Sequence, residues 1–197
     1  MISDLEHRML KNKRYRLVEH MKTIPRRHYL MTIRYNNKTH QEMQEYCDNN
    51  EKRGIKCVYG CPKMVSDCVV RDSILMVLEM NNEDNCIEGV GMVRNTIQEP
   101  NGRRPFQIHE DGNLNRFVYM GAKRIDRSEM TSEEEDVFAA FDIICFKGCN
   151  HQKRGHGITI FPLDVIEKCK KIIDLQEFVY MMFKNRYNKI GKDVKNA

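Results

Sequence analysis

The chain has 197 residues, 41% hydrophobic and 31% charged, with a formal net charge of +5. This size suits one compact domain with a buried core, and no apolar run approaches the roughly 20 residues of a membrane-spanning helix. The amino-terminal segment is charged from its fourth residue. We therefore expect no signal peptide, an intracellular location, and cysteines that are thiols rather than disulfides.

The positive charge is unevenly distributed. Residues 1 to 30 contain eight Lys or Arg and three acidic residues, and residues 101 to 127 contain six and three. These basic segments predict a shared surface for a polyanion if the fold brings them together. Ordinary solvated faces explain the same pattern about as well.

The first 28 residues predict a basic amphipathic helix that Pro25 ends. Tyr15 lies among its cations, a pattern that suits phosphate neutralisation with base stacking. Docking of this helix on another protein is an equal alternative. "HYLMTIRY" then predicts a strand, and "KTHQEMQEYCDNNEKRG" predicts a helix that stops at Gly54.

The middle of the chain predicts β-structure. Four runs are rich in β-branched and aromatic residues: "IKCVYG", "SILMVLEM", "CIEGVGMVRN" and "RFVYMGAKRI". "NNEDN" between the second and third predicts a hairpin loop, and Gly89 and Gly91 predict a bulge or a sharply bent strand.

The last third predicts a helix, two strands and a long helix. "MTSEEEDVFAAF" begins with Thr131 or Ser132 as its cap, which also explains the acidic cluster. "DIICF" and "GITIFP" predict a pair of strands, and residues 163 to 190 predict one amphipathic helix. The fold class is α+β: a single domain with a curved sheet or barrel core over residues 29 to 162, flanked by helices, with a tail from residue 191.

Residues 55 to 175 resemble a set of small proteins encoded by large nucleocytoplasmic DNA viruses. The resemblance rests on "SILMVLEMNNEDNCIEGVGMVRN", "NRFVYMGAKRIDRSEMTSEEE" and "DIICFKGCNHQKRGHGITIFP". A looser resemblance is to the PUA-like superfamily of ASCH, EVE and YTH domains, which implies a small β-barrel that binds RNA or modified nucleotides. YTH readers hold methylated adenine in a tryptophan-bearing cage, and this sequence has no Trp. The aromatic residues left to stack a base are Tyr59, Tyr119, Phe117 and Phe161.

The segment "CFKGCNHQKRGHG", residues 145 to 157, contains no acidic residue. Its glycines allow backbone N–H groups to approach an anion, so we predict a phosphate-contacting loop. The alternative is an exposed hairpin loop whose cations are merely solvated. The predicted phosphate contacts are Lys147, Lys153, Arg154 and His156, with Arg103, Arg104, Lys123 and Arg124 from neighbouring segments.

Metal binding and catalysis are weaker interpretations of the same residues. Cys145, Cys149, His151 and His156 are zinc-ligand types, but one residue separates the two pairs and Cys145 follows an apolar run. Cys57, Cys61, Cys68 and Cys86 lack a second pair at zinc-finger spacing. We therefore predict no cofactor and no enzymatic activity, since no motif assigns an acid, a base and an electrophile.

The sequence thus predicts a viral nucleic-acid-binding module in the host cytoplasm or nucleus, with RNA preferred over DNA as its ligand. The alternative is a structural protein, either a virion component or a subunit that docks on a viral partner through its terminal helices. Neither interpretation involves a membrane.

Overall fold

The structure is a computed structural model that describes residues 28 to 100, 105 to 148 and 151 to 193, with side chains to residue 187. The predicted basic amino-terminal helix lies outside these residues. The described part of the chain is α+β, with four α-helices, one mixed five-stranded sheet and one two-stranded sheet. No helix in it is long and apolar enough to cross a membrane.

The larger sheet has the strand order β6-β4-β3-β1-β7. β1 and β3 are parallel, and every other neighbouring pair in this sheet is antiparallel. Its strands are β1 (His28–Tyr35), β3 (Ile74–Asn81), β4 (Cys86–Arg94), β6 (Lys123–Asp126) and β7 (Thr159–Ile160). β2 (Cys57–Cys61) and β5 (Phe117–Gly121) form the second, antiparallel sheet. The described strands form no closed barrel, so the PUA-like barrel stays a prediction.

The four helices are α1 (Asn37–Asn49), α2 (Ser132–Phe146), α3 (Leu163–Cys169) and α4 (Leu175–Asp193). α1 follows β1 directly, with a capping box in which Asn36 Oδ1 accepts from the Thr39 amide at 2.8 Å. The predicted cap of α2 is confirmed: Thr131 and Glu134 bond each other's backbone amides. Three short 3-10 turns, Glu51–Arg53, Gly112–Asn115 and Arg127–Glu129, join the elements.

The larger sheet is buried on both faces, which explains the almost continuous apolar run of β3. Leu75 and Val77 face a core shared with the smaller sheet and α1. Met76 and Leu78 face a second core filled by α2, α3 and α4. The hairpin at residues 81 to 85 is confirmed. A register shift places the β4 bulge between Ile87 and Gly89, next to one of the two glycines that predicted it.

Three predicted elements are wrong in detail. "RFVYMGAKRI" is two strands in different sheets, β5 and β6, and the chain leaves the smaller sheet at Gly121. A Cβ there would lie 2.1 Å from the Met92 carbonyl oxygen. "DIICF" is the carboxyl-terminal part of α2, with Cys145 buried and Ile143 55% exposed. An apolar run this short does not distinguish a strand from one helical face.

The predicted carboxyl-terminal helix is also two helices, since residues 170 to 174 separate α3 from α4. Ile172, assigned to the apolar face of a continuous helix, is 93% exposed. Because "DIICF" is helical, residues 147 to 158 connect α2 to β7 and are not the tip of a hairpin.

A buried ion pair lies on the face of β3 towards the smaller sheet. Glu79 is fully buried, and Arg124 of β6 donates to both of its carboxylate oxygens, at 3.2 Å to Oε1 and 2.8 Å to Oε2. Tyr59 of β2 donates its hydroxyl proton to Oε1 at 2.8 Å. Burial alone would raise the pKa of Glu79, but the Arg124 charge and these hydrogen bonds hold it below the ordinary 4.5.

We expect Glu79→Ala to lower the free energy of unfolding by about 3 kcal/mol, because it removes the buried counter-charge of the Arg124 guanidinium and leaves only the more exposed carboxylate of Asp126, 2.8 Å from Nη1. Chemical denaturation measures this, and a Glu79→Leu/Arg124→Met double variant should recover much of the loss. Glu51→Ala, which removes an exposed partner of Lys56, is the control and should change stability little. A double variant as unstable as the single one would contradict the account.

The same pair predicts a pH dependence of stability. Because the folded-state pKa of Glu79 lies below its unfolded value near 4.5, its contribution is complete above that pH and is lost as the pH falls through the folded-state value. We expect Glu79→Gln to be less stable at neutral pH and to lose less stability than the wild type on acidification below 4.5. Parallel stability curves for the two proteins would contradict this assignment.

Candidate nucleic-acid interface

A pocket of about 270 Å³ opens at the carboxyl end of β1. Its lining comes from five segments far apart in the sequence: the turn from β1 into α1, the end of β2, the β3–β4 hairpin, the 3-10 turn near residue 112, and Gly157. The volume is close to the lower end of the range for small-molecule sites. The pocket therefore has room for a group the size of a nucleobase.

Gly60 allows β2 to pack closely against the segment that carries His109 and Leu114. A Cβ at this position would lie 2.5 Å from the Leu114 carbonyl oxygen and 3.1 Å from Cδ2 of His109. Leu114 and His109 both line the pocket, and the Leu114 oxygen belongs to the backbone. Only glycine fits here without displacing the opposite wall.

The opposite wall is fixed to α1 through His109. Its side chain is 1% exposed, and its Nδ1 lies 2.9 Å from Oε2 of Glu42. Asn115 holds the backbone of the same residue, accepting from the His109 amide at 2.9 Å and donating to its carbonyl at 2.7 Å. Lys38 and Glu110 form an ion pair beside this contact. The position of His109 is therefore set by several contacts.

Two residues that line the pocket each have a buried polar atom without a hydrogen-bond partner among the described residues: the Tyr35 hydroxyl and Oδ1 of Asn82. Burial raises the pKa of Tyr35 well above its ordinary value, and the nearby Glu79 charge adds to this, so the hydroxyl keeps its proton. Buried polar atoms are normally paired, and those that are not commonly mark a site that awaits a ligand or a water.

The basic loop, which we define as residues 147, 148 and 151 to 157, contributes Gly157 to this pocket. Arg34 holds its base: Nε donates to the Gln152 carbonyl at 2.6 Å, and Nη1 donates to Oγ1 of Thr159 at 2.7 Å. Asn82 donates Nδ2 to the Lys153 carbonyl at 3.2 Å, and Lys153 Nζ donates to Oδ1 of Asn85 at 2.7 Å. The loop is thereby bound to β1 and to the β3–β4 hairpin.

The two glycines near the end of the basic loop allow its close approach. Gly155 has φ +143°, and a Cβ there would lie 3.1 Å from Cζ of Arg34. Gly157 has φ +69°, and a Cβ there would lie 3.3 Å from Cβ of Cys61. Both conformations favour glycine. These residues therefore seat the loop against the pocket wall, which is a more specific role than general flexibility.

Four of the predicted phosphate contacts are in the basic loop. Lys147, Arg154 and His156 are exposed, and Lys153 is half-buried. Arg103 and Arg104 lie outside the described residues. Lys123 and Arg124 are on β6, at the sheet edge opposite β7. The structure therefore does not bring these two residues together with the basic loop, and Arg124 is in addition held by Glu79.

The aromatic residues predicted to stack a base are mostly in the core. Tyr59 and Tyr119 are 0% and 1% exposed, and Phe161 is equally buried. The Tyr59 hydroxyl donates to Glu79, and the Tyr119 hydroxyl accepts from the Val65 amide at 3.1 Å. Phe117 is half-buried with the Arg116 guanidinium over its ring. Stacking by Tyr59 or Tyr119 would require the core to open.

The cysteines of the described chain are free thiols, and no three His, Cys, Asp or Glu side chains there are grouped to hold a metal. Burial raises the pKa of Cys145 and of Cys61 to about 12 in each case, so both keep their protons. Cys145 packs in the helical core, as its apolar neighbours predicted. Cys149, the remaining member of the first zinc set, lies outside the described residues.

Sequence reasoning missed three residues of the site. Lys63 is exposed and directly follows Pro62, which lines the pocket. The Lys63 carbonyl oxygen lies 3.4 Å from the position that a Cβ on Gly157 would take. Asn82 and His109 line the pocket, but the sequence indicates only that Asn82 lies in a hairpin and His109 in a loop. No local pattern marks any of them, because only the tertiary fold brings them to the end of β1.

Comparison of the chain with protein-family models, with curated protein sequences and with solved structures gives no match in any of the three.

We expect Arg34→Ala to release the basic loop, because it removes both side-chain hydrogen bonds at the base of the loop. Limited trypsin digestion followed by mass spectrometry measures this as faster cleavage after Lys153 and Arg154. Cleavage after the exposed Lys168 of α3 is the internal control and should be unchanged. Equal acceleration at both places would indicate global destabilisation and contradict a local anchoring role.

Proposed function

We propose that this protein binds single-stranded RNA, with one unpaired base in the pocket at the end of β1 and the adjoining phosphates on a basic rim. We define the basic rim as Lys63, Lys153, Arg154 and His156. The observation that carries the proposal is that Asn82 bonds the basic loop and also presents an unpartnered, buried oxygen at the pocket. The pocket and the basic loop are therefore one structural unit.

The electrostatics of this unit support an anionic ligand. No Asp or Glu is among the pocket-lining residues, which include Asn36 and Thr39 at the amino-terminal end of α1. That end of a helix carries partial positive charge and favours anions, although here Glu83 already accepts from the Asn37 amide at 2.8 Å. Lysine and arginine beside a cavity supply the phosphate contacts from which nucleic-acid affinity mostly derives.

The concave shape of the pocket supports a single strand. A base paired in a duplex cannot enter a cavity of this kind, whereas proteins that recognise RNA in a sequence-specific way mainly bind unpaired bases. The polar atoms of the pocket can bond the edge of such a base. Because the aromatic residues near it are buried, recognition relies on hydrogen bonds and shape more than on exposed stacking.

The proposal includes a PUA-like relationship and a viral origin, which rest on the sequence resemblance. The helix that follows β1 directly and the bulged β3–β4 hairpin are compatible with a curved PUA-like sheet. RNA is preferred over DNA because PUA-like domains commonly bind RNA. The absence of Trp argues against the methyladenine cage of YTH readers.

Fluorescence anisotropy with a labelled, unstructured oligoribonucleotide of mixed sequence tests the proposal. We expect binding that weakens steeply as salt rises from 50 to 200 mM. A Lys63→Ala/Lys153→Ala/Arg154→Ala variant should bind more weakly and have a salt slope smaller by about 2, since each phosphate contact on a single strand contributes about 0.7.

The matched control removes three lysines elsewhere: Lys168→Ala/Lys170→Ala/Lys171→Ala. These lysines lie between β7 and the start of α4. Gln176 of α4 donates to the His28 carbonyl, and His28 is at the end of β1 that is far from the pocket. The control should keep most of the affinity of the wild type. No binding at low salt, or equal losses in both triple variants, would refute the proposed function.

A further inference from the structure

The orientation of the Asn82 amide is determined by its neighbour. Nδ2 lies 3.2 Å from the carbonyl oxygen of Lys153, and a carbonyl oxygen can only accept. The amide nitrogen must therefore face the basic loop, which leaves Oδ1 as the buried atom without a partner. Asn82 thus offers the pocket a hydrogen-bond acceptor.

His109 offers a second acceptor for a similar reason. Its Nδ1 lies 2.9 Å from Oε2 of Glu42, and a carboxylate accepts the proton that Nδ1 carries. In the neutral ring this leaves Nε2 without a proton. Nε2 lies 3.4 Å from a Cβ position on Gly60, and both residues line the pocket.

From these two side chains we propose that the pocket selects a base that carries an exocyclic amino group, and that Asn82 and His109 are the specificity-determining residues. The two N–H hydrogens of the amino group donate to Oδ1 of Asn82 and to Nε2 of His109. This inference rests on the proposed function and adds the ligand class: adenine, cytosine or guanine is accepted in preference to uracil. Glu42 is a positioning residue that acts through His109.

The discrimination follows from the cost of an unmatched acceptor. The two acceptors need two donor hydrogens, which one amino group supplies. Uracil has a single imino N–H between two carbonyl oxygens, so it can satisfy one acceptor and leaves the other without a donor. A buried polar atom without a hydrogen-bond partner costs free energy. A site whose acceptors bond donors of the ligand therefore rejects an analogue that lacks those donors. The Tyr35 hydroxyl can donate or accept, so it does not change the preference.

Three pairs of mononucleotides isolate the amino group: CMP against 2-pyrimidinone riboside monophosphate, AMP against purine riboside monophosphate, and GMP against IMP. The two members of each pair differ only in that group. Calorimetric titration should give, in at least one pair, roughly tenfold to a hundredfold tighter binding of the amino-bearing nucleotide. Binding within twofold for all three pairs, or no binding of any nucleotide, would overturn the inference.

Asn82→Ala should reduce the difference within the responding pair to less than threefold. The matched control, Asn185→Ala, removes an exposed asparagine of α4 and should keep the full difference. If Asn82→Ala keeps it too, Asn82 is not a specificity-determining residue.

The state of His109 has its own spectroscopic readout. Imidazole ¹⁵N shifts, assigned with His109→Gln, should show a proton-bearing Nδ1 and a pyridine-like Nε2 in the free protein. A protonated Nε2 would overturn the assignment of His109 as an acceptor. RNA binding with salt dependence but without amino selectivity would reject this inference and leave the proposed function standing, whereas no RNA binding rejects both.

Discussion

The position of the pocket depends on the buried Glu79–Arg124 pair. Arg124 joins the edge strand β6 to β3 across β4, and Tyr59 joins the same carboxylate to the smaller sheet. Tyr59 directly precedes Gly60, whose missing side chain allows the pocket-lining residues His109 and Leu114 to pack against β2. A fully buried carboxylate is tolerated only with its partners in place, so this pair fixes the spacing of the two sheets. The gap that they leave at the end of β1 is the candidate binding site.

The site is formed where several connections meet. β1 ends there, α1 begins there, and the β3–β4 hairpin and the basic loop are bonded to each other beside it. Arg34, which in the sequence is one more cation in a strand, uses its charge to hold the loop. The basic loop therefore contributes Gly157 to the lining of the pocket, and in the proposed function its side chains supply the positive charge beside it.

Elements with strong local signals could be predicted from the sequence. β1, α1, the β3–β4 hairpin, the bulge beside Gly89 and the cap of α2 follow from alternation, capping residues and glycine. The division of residues 116 to 125 between two sheets could not be predicted, because it depends on which strands lie beside β5 and β6. The burial of Tyr59 and Arg124 was missed for the same reason: a tyrosine or arginine in a strand has the same local pattern whether it faces solvent or a buried carboxylate. The basic loop was recognised from its composition, but its partners Lys63, Asn82 and His109 have no local signal.

The claim that the pocket and the basic loop act as one RNA site is tested most directly by amide chemical-shift mapping during titration with a short unstructured oligoribonucleotide. The account predicts that the amides of Asn36, Gly60 and His109 in the pocket shift together with those of Arg154 and Gly157 in the loop, along one binding curve. Shifts confined to the loop, or concentrated on β6 and α4, would contradict it.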